Sequence, residues 1–141
     1  MDRLNEIYQE LYDDGVFFHA GNYNLDGGCD SVIVSDGTHY GIFLDIEKIR
    51  TPVQEKMAVS HEWGHYVTGS TYAMDASELV RRSSELRAEK AQIKRLIPKW
   101  ELEQAVASGI TELWELAEHF SVTEEFMEKA AFYYIHGCHK P

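Results

Sequence analysis

His61, Glu62 and His65 are the residues of this chain whose types and spacing are best suited to chemistry. They stand in the run His61-Glu62-Trp63-Gly64-His65, and on an α-helix side chains four apart lie one above the other on the same face. Two imidazoles so placed can share one zinc ion, and a carboxylate beside them can take a proton from water that the ion has acidified. A five-residue pattern also arises by chance. Its meaning depends on a helix around it and on a further ligand facing it.

The flanking residues supply the helix. Thr51 is a capping residue, Pro52 suits the first helical position, and Gln54 completes a capping box three residues after the cap. Gly69 supplies a stop, so a helix is expected from Pro52 to about Thr68. Within it Val53, Met57, His61 and His65 share one face, which points inward at its beginning and carries the histidines at its end. Gly64 costs the helix about 1 kcal/mol relative to alanine, so another element is expected to pack closely there.

A catalytic zinc keeps three protein ligands and one open position. The segment from Ser77 to about Ile97 is strongly helical in composition, and Leu79, Leu86, Ile93 and Ile97 form an expected core stripe. Glu78, Glu85 and Glu89 lie beside it. Any one could be the third ligand, but for each taken singly a solvated helix carboxylate paired with Arg81, Arg82 or Lys90 is the commoner case. Spacing alone leaves the choice open.

The run from His61 to His65, then Thr68-Gly69-Ser70, Glu85-Leu86-Arg87-Ala88 and Leu96-Ile97-Pro98, resembles the ImmA/IrrE family of metallopeptidases, especially its short phage and prophage members. The resemblance covers roughly residues 50 to 100 in specific motifs and the rest in general layout. It implies Glu85 as third zinc ligand, placed three residues before a helical alanine, with Glu89 in reserve. Where family members often carry Asn and an aromatic after that alanine, this chain has Glu89 and Ala91. The resemblance also implies a small sheet beside the zinc-bearing helix, as in zincins, and proteolysis of helix-turn-helix repressors of mobile elements.

The remaining chain reads as an α+β domain, mostly helical, with a small three-stranded sheet. Leu4, Ile7, Tyr8 and Leu11 mark an amphipathic helix from Asp2 to about Asp13. Val16 to His19, Ser31 to Val34 and Tyr40 to Leu44 read as strands, with a hairpin at Asp36-Gly37. The strand nearest a zinc cleft is the natural place for an extended peptide to add itself, and His19 and His39 lie at strand margins. After Pro98, helices are expected over Trp100 to Ser108, Thr111 to Phe120 and Thr123 to His136. Residues 1–141 are thus read as one zincin-like domain: 1–50 the N-terminal helix and sheet, 51–98 the zinc-binding helix pair, 99–141 the C-terminal helices.

Leu113 to Thr123 looks like the entry of a helix-turn-helix, but six Glu against one Lys from Glu112 to Lys129 would repel phosphates, so no direct nucleic-acid binding is expected. His136-Gly137-Cys138-His139 reads as a frayed tail. Cys29 and Cys138, far apart in sequence, read as reduced thiols. No run of 18 apolar residues exists, and the N-terminus lacks a basic region followed by an apolar one, so no membrane span is expected and a cytoplasmic location is.

The net charge of −11 hides an asymmetry: residues 1–47 hold ten acidic residues and one basic, while seven of the thirteen Lys and Arg fall between Arg81 and Lys99. An acidic surface could steer a basic repressor. The function expected is a zinc endopeptidase: zinc on His61, His65 and Glu85, and Glu62 as proton acceptor. The oxyanion-stabilising donor is left among Tyr66, Tyr72, His39, His119 and His136. Two other classes are weighed: a zinc-stabilised protein that sequesters a repressor without cleaving it, and the toxin half of a toxin–antitoxin pair.

Overall fold

The computed structural model describes residues 2–25 and 27–141. The N-terminal helix, α1 (Arg3–Asp13), buries Leu4, Ile7 and Leu11, the stripe its spacing demands. Three strands follow: β1 (Phe17–Gly21), β2 (Ser31–Ser35) and β3 (Tyr40–Asp45), in spatial order β1-β3-β2. β3 pairs antiparallel with β2, Ser31 opposite Leu44, and parallel with β1, Phe17 opposite Gly41. The hairpin between β2 and β3 is fixed by Asp36, whose Oδ1 accepts from the backbone N–H groups of Thr38 (2.8 Å) and His39 (2.7 Å). Gly37 beside it takes φ +93°, open to glycine without strain.

The central helix, α2 (Pro52–Thr68), starts and stops where its signals lie. Thr51 Oγ1 accepts from the Gln54 N–H, Gln54 Oε1 accepts from the Thr51 N–H, and both distances are 3.1 Å. Gly69 closes the helix at φ +61°. The next helix, α3 (Glu78–Leu96), is capped by Ser77, whose side chain accepts from the Val80 N–H. The two run antiparallel: His65 lies by Glu85, Gly64 by Ala88, and Ser60 by Gln92.

The expected stripe on α3 is only half right. Ile93 and Ile97 are fully buried, but Leu79 is 79% exposed and Leu86 half-buried. The side turned to α2 is instead Ser84, Ala88, Gln92 and Leu96, all buried and spaced every four residues. Small and polar residues line this seam because the backbones approach closely. A Cβ built on Gly64 would collide with the carbonyl oxygen of Ala88 and lie 3.0 and 3.1 Å from its carbonyl carbon and Cα. The close packing anticipated at Gly64 is there, and the partner is α3.

The chain ends in three helices, α4 (Lys99–Ala107), α5 (Leu113–Phe120) and α6 (Glu124–His136). They close the core with Ala105, Leu116, Phe120, Phe126, Met127 and Ala130 against Val59, Ile93 and Leu96. Buried Lys56 of α2 donates to the Phe120 carbonyl at 2.8 Å, satisfying the C-terminal end of α5. Burial lowers the pKa of that amine. The acidic N-terminal helix and the basic stretch of α3 meet each other: Arg95 pairs with Glu10 at 3.2 Å and Glu6 at 3.8 Å. Part of the charge asymmetry is therefore neutralised inside the molecule.

The C-terminal residues are not frayed, contrary to expectation. His139 lies 3.4 Å from Glu89 and packs on the Tyr133 ring, while Lys140 bonds Glu128. Cys29 and Cys138 are both exposed and free. No described helix is long and apolar enough to cross a membrane.

Candidate metal centre

His61 and His65 stand one turn apart on α2, and the antiparallel packing of α3 brings Glu85 opposite both. His61 Nε2 lies 2.9 Å from Glu85 Oε2, and His65 Nε2 lies 3.2 Å from Glu85 Oε1. One ligand atom from each residue falls within 4.8 Å of the others, and this is the only such group of three or more among the described residues. Glu89 is drawn away by Lys129 (3.7 Å) and His139 (3.4 Å), and Glu78 sits in the exposed first turn of α3. Helix geometry makes the selection: Glu85 lies three residues before Ala88, which touches Gly64, so its side chain meets the histidines on the same seam.

His65 is buried, and its Nδ1 lies 3.1 Å from the Ser70 carbonyl, to which it can donate. With Nδ1 held at that carbonyl, the ring turns Nε2 toward Glu85, the orientation a metal-binding histidine requires. Two imidazole nitrogens and a carboxylate form a donor set that suits zinc and other first-row divalent ions. The residues fit the metal that the pentapeptide implies.

Electrostatics hold the group together. Burial disfavours a charged His61, but Glu85, Glu62 and Asp30 outweigh it and raise the imidazole's pKa. Burial likewise works against the Glu85 carboxylate, yet bonds from His61, His65 and Tyr72 pull its pKa well below the usual carboxylate range. Glu62 goes the other way. It is 4% exposed, and burial raises its pKa against the pull of His61, His65 and a 3.2 Å bond from Ser31 Oγ to its Oε1. A buried carboxyl lifted toward neutrality is suited to accept and return protons.

These residues line a cleft of about 940 Å³. One wall is β2 along its whole length, the other the Thr71–Met74 stretch of the α2–α3 connection. β2 is an edge strand. The Asp45 N–H bonds the Asp30 carbonyl and the Asp36 N–H bonds the His39 carbonyl, so even-numbered residues of β2 address β3. Ser31, Ile33 and Ser35 turn their backbone groups to the free edge. The pairing thus identifies the edge at the cleft, a choice that strand patterning leaves open.

Of the five oxyanion candidates, Tyr72 alone lines the cleft, its hydroxyl donating to Glu85 Oε1 at 2.8 Å. Burial and that carboxylate push the phenol up to about 12. Tyr66 bonds Asp14, and His39 sits by Asp36 in the hairpin turn. His119 meets Phe120 edge-on in α5, and His136 packs at a tilt against Phe132 in α6. His19 bonds the Tyr23 hydroxyl and packs on Phe17 and Phe43. Ser31 and Ser70 are site residues that sequence reasoning misses. For Ser31 a signal exists, its strand parity with the apolar Ile33, which packs against the core; for the Ser70 carbonyl there is none. Family models, curated proteins and solved structures all yield no match to this chain, which leaves the donor set, its hydrogen bonds and its cleft as the grounds for a functional assignment.

Proposed function

We propose that the protein is a zinc-dependent endopeptidase of the cytoplasm, with His61, His65 and Glu85 as metal ligands and Glu62 as proton acceptor. The observation that carries this reading is the convergence of two imidazoles and a carboxylate in an open cleft, with a second, buried and protonatable carboxylate next to them. When bound, zinc contributes Lewis acidity toward water and a peptide carbonyl. Ser31 occupies Glu62 Oε1, leaving Oε2 to take the proton of the attacking water and hand it to the departing amine. The free edge of β2 offers the backbone groups of Ser31, Ile33 and Ser35 to an extended peptide, which fixes the scissile bond beside Glu62.

The resemblance to ImmA/IrrE proteases suggests the substrate: a helix-turn-helix repressor of a phage or mobile element, presenting an extended segment to the cleft. Glu62→Gln separates catalysis from sequestration. It keeps the size of the side chain and the metal ligands but removes the proton acceptor. The variant is expected to retain zinc and to lose cleavage of the cognate repressor by 10²- to 10⁴-fold. A Glu62→Gln protein that still relieves repression as well as wild type would favour sequestration instead.

A further inference from the structure

We infer that Tyr72 is a positioning residue of the metal centre: its hydroxyl holds the Glu85 carboxylate in the place from which it meets both histidines. This rests on the reading of His61, His65 and Glu85 as metal ligands, and adds what keeps the third ligand in position.

Glu85 needs such a holder more than the histidines do. His65 is buried and tied through Nδ1 to the Ser70 carbonyl, whereas the Glu85 side chain is 41% exposed and reaches from a separate helix on a flexible stem. An exposed glutamate loses rotamer entropy when it stays in one geometry. Tyr72 Oη donates to Glu85 Oε1 at 2.8 Å, so one carboxylate oxygen is engaged and Oε2 is left at 2.9 Å from His61 Nε2. The phenol also packs edge-on toward His65, with ring centres 6.1 Å apart, so the same side chain touches two of the three ligands.

The tyrosine is itself held. Arg81 of α3 donates through Nε to the Ala76 carbonyl at 3.1 Å and also bonds the Met74 carbonyl, and its guanidinium carbon lies 5.8 Å from the centre of the Tyr72 ring. At the near end of the connection, Arg87 Nη2 donates to the Thr68 carbonyl at 2.9 Å, and the Thr68 and Ser70 hydroxyls lie 2.6 Å apart. Residues 69–77 therefore form a strap fastened at both ends by arginines of α3. The strap places a carbonyl on His65 and a hydroxyl on Glu85. Outer hydrogen bonds of this kind orient ligands, and their loss commonly weakens metal binding 10- to 100-fold.

The test is zinc affinity, measured by competition with a chromophoric chelator, on wild type, Tyr72→Phe and Tyr66→Phe, and on Glu85→Gln with and without Tyr72→Phe. Tyr72→Phe removes one hydroxyl and keeps the ring. We expect it to bind zinc 10- to 100-fold more weakly while its metal-free form melts with wild type, and Tyr66→Phe to bind as wild type does. Cobalt substituted for zinc should give a changed visible absorption band in Tyr72→Phe. In the Glu85→Gln background the same change should cost nothing, because the side chain it positions is no longer a carboxylate ligand. Should Tyr72→Phe prove unstable, Arg81→Gln, which keeps the hydroxyl but unfastens the strap, should still weaken zinc several-fold. Unchanged affinity in Tyr72→Phe, or an equal loss in the Glu85→Gln background, overturns the positioning role. A wild-type protein that takes up no zinc overturns the metallopeptidase reading itself, and this role with it.

Discussion

Gly64 is where the packing of the fold and the chemistry of the site meet, and replacing it with alanine tests both. In an isolated helix the change would be favourable by about 1 kcal/mol. Here the new methyl would collide with the carbonyl oxygen of Ala88 and lie 3.0 Å from its carbonyl carbon and 3.1 Å from its Cα. These are backbone atoms in the middle of α3, so no rotamer change relieves the clash. Restoring a separation of about 3.5 Å requires the helices to part by roughly 1 Å. Overpacking of this kind costs about 1–3 kcal/mol and, with no flexible side chain to yield, the upper part of that range applies. Net of the propensity gain, the loss is about 1–2 kcal/mol, or a fall in Tm of roughly 3–8 °C for a chain of this length. The same displacement carries Glu85, one turn from Ala88, away from His61 and His65, so zinc affinity should fall at least about 10-fold, since a site displaced by an ångström loses its geometry. Calorimetry of the metal-free protein and chelator competition read the two effects separately. A variant that melts at or above the wild-type temperature and binds zinc normally would refute both the close helix contact and its role in placing Glu85.

Two further outcomes follow from the arrangement. Elemental analysis after dialysis against metal-free buffer should find about one zinc per chain in wild type and in Glu89→Gln, whose carboxylate serves Lys129 and His139, but little in Glu85→Gln. Equal retention by the two variants would remove Glu85 from the ligand set. The second concerns pH. The Glu85 pKa is depressed, so its contribution to stability is present above the ordinary carboxylate value of 4.5 and is lost as pH falls through its folded value. The His61 pKa is raised, so its contribution is present below the ordinary 6.5 and is lost as pH rises through its folded value. Both hold between about 4.5 and 6.5. Without metal, Glu85→Gln should therefore lower the Tm more near pH 5.5 than near pH 8.5, and thermal melts showing the reverse order would contradict the His61–Glu85 pairing.

Local signals make much of this protein legible in its amino-acid sequence. Thr51, Pro52, Gln54 and Gly69 set α2 at its observed limits because caps and stops act within a single turn of backbone. Leu4, Ile7 and Leu11 set α1, and Asp36-Gly37 the hairpin, for the same reason. His61, Glu62 and His65 are readable because helix periodicity alone puts the two imidazoles on one face.

Features that depend on contacts between distant residues are not legible in this way. Glu78, Glu85 and Glu89 look alike along the chain; the choice of Glu85 follows from which turn of α3 faces α2, and that is set by Gly64 against Ala88. Hydrophobic periodicity misplaces part of the α3 face because Ser84, Ala88 and Gln92 build that seam, and small or polar residues leave no apolar signature. Likewise β2 becomes the wall of the cleft through the parallel pairing of β1 with β3, and Tyr72 reaches Glu85 through a strap fastened by Arg81. The helices, the turns and the two-histidine half of the site are written in the chain, since each is specified within a few residues. The carboxylate that joins the two histidines, the open sheet edge and the hydrogen bonds around the three side chains come from packing, since each joins groups that only a folded chain brings within reach.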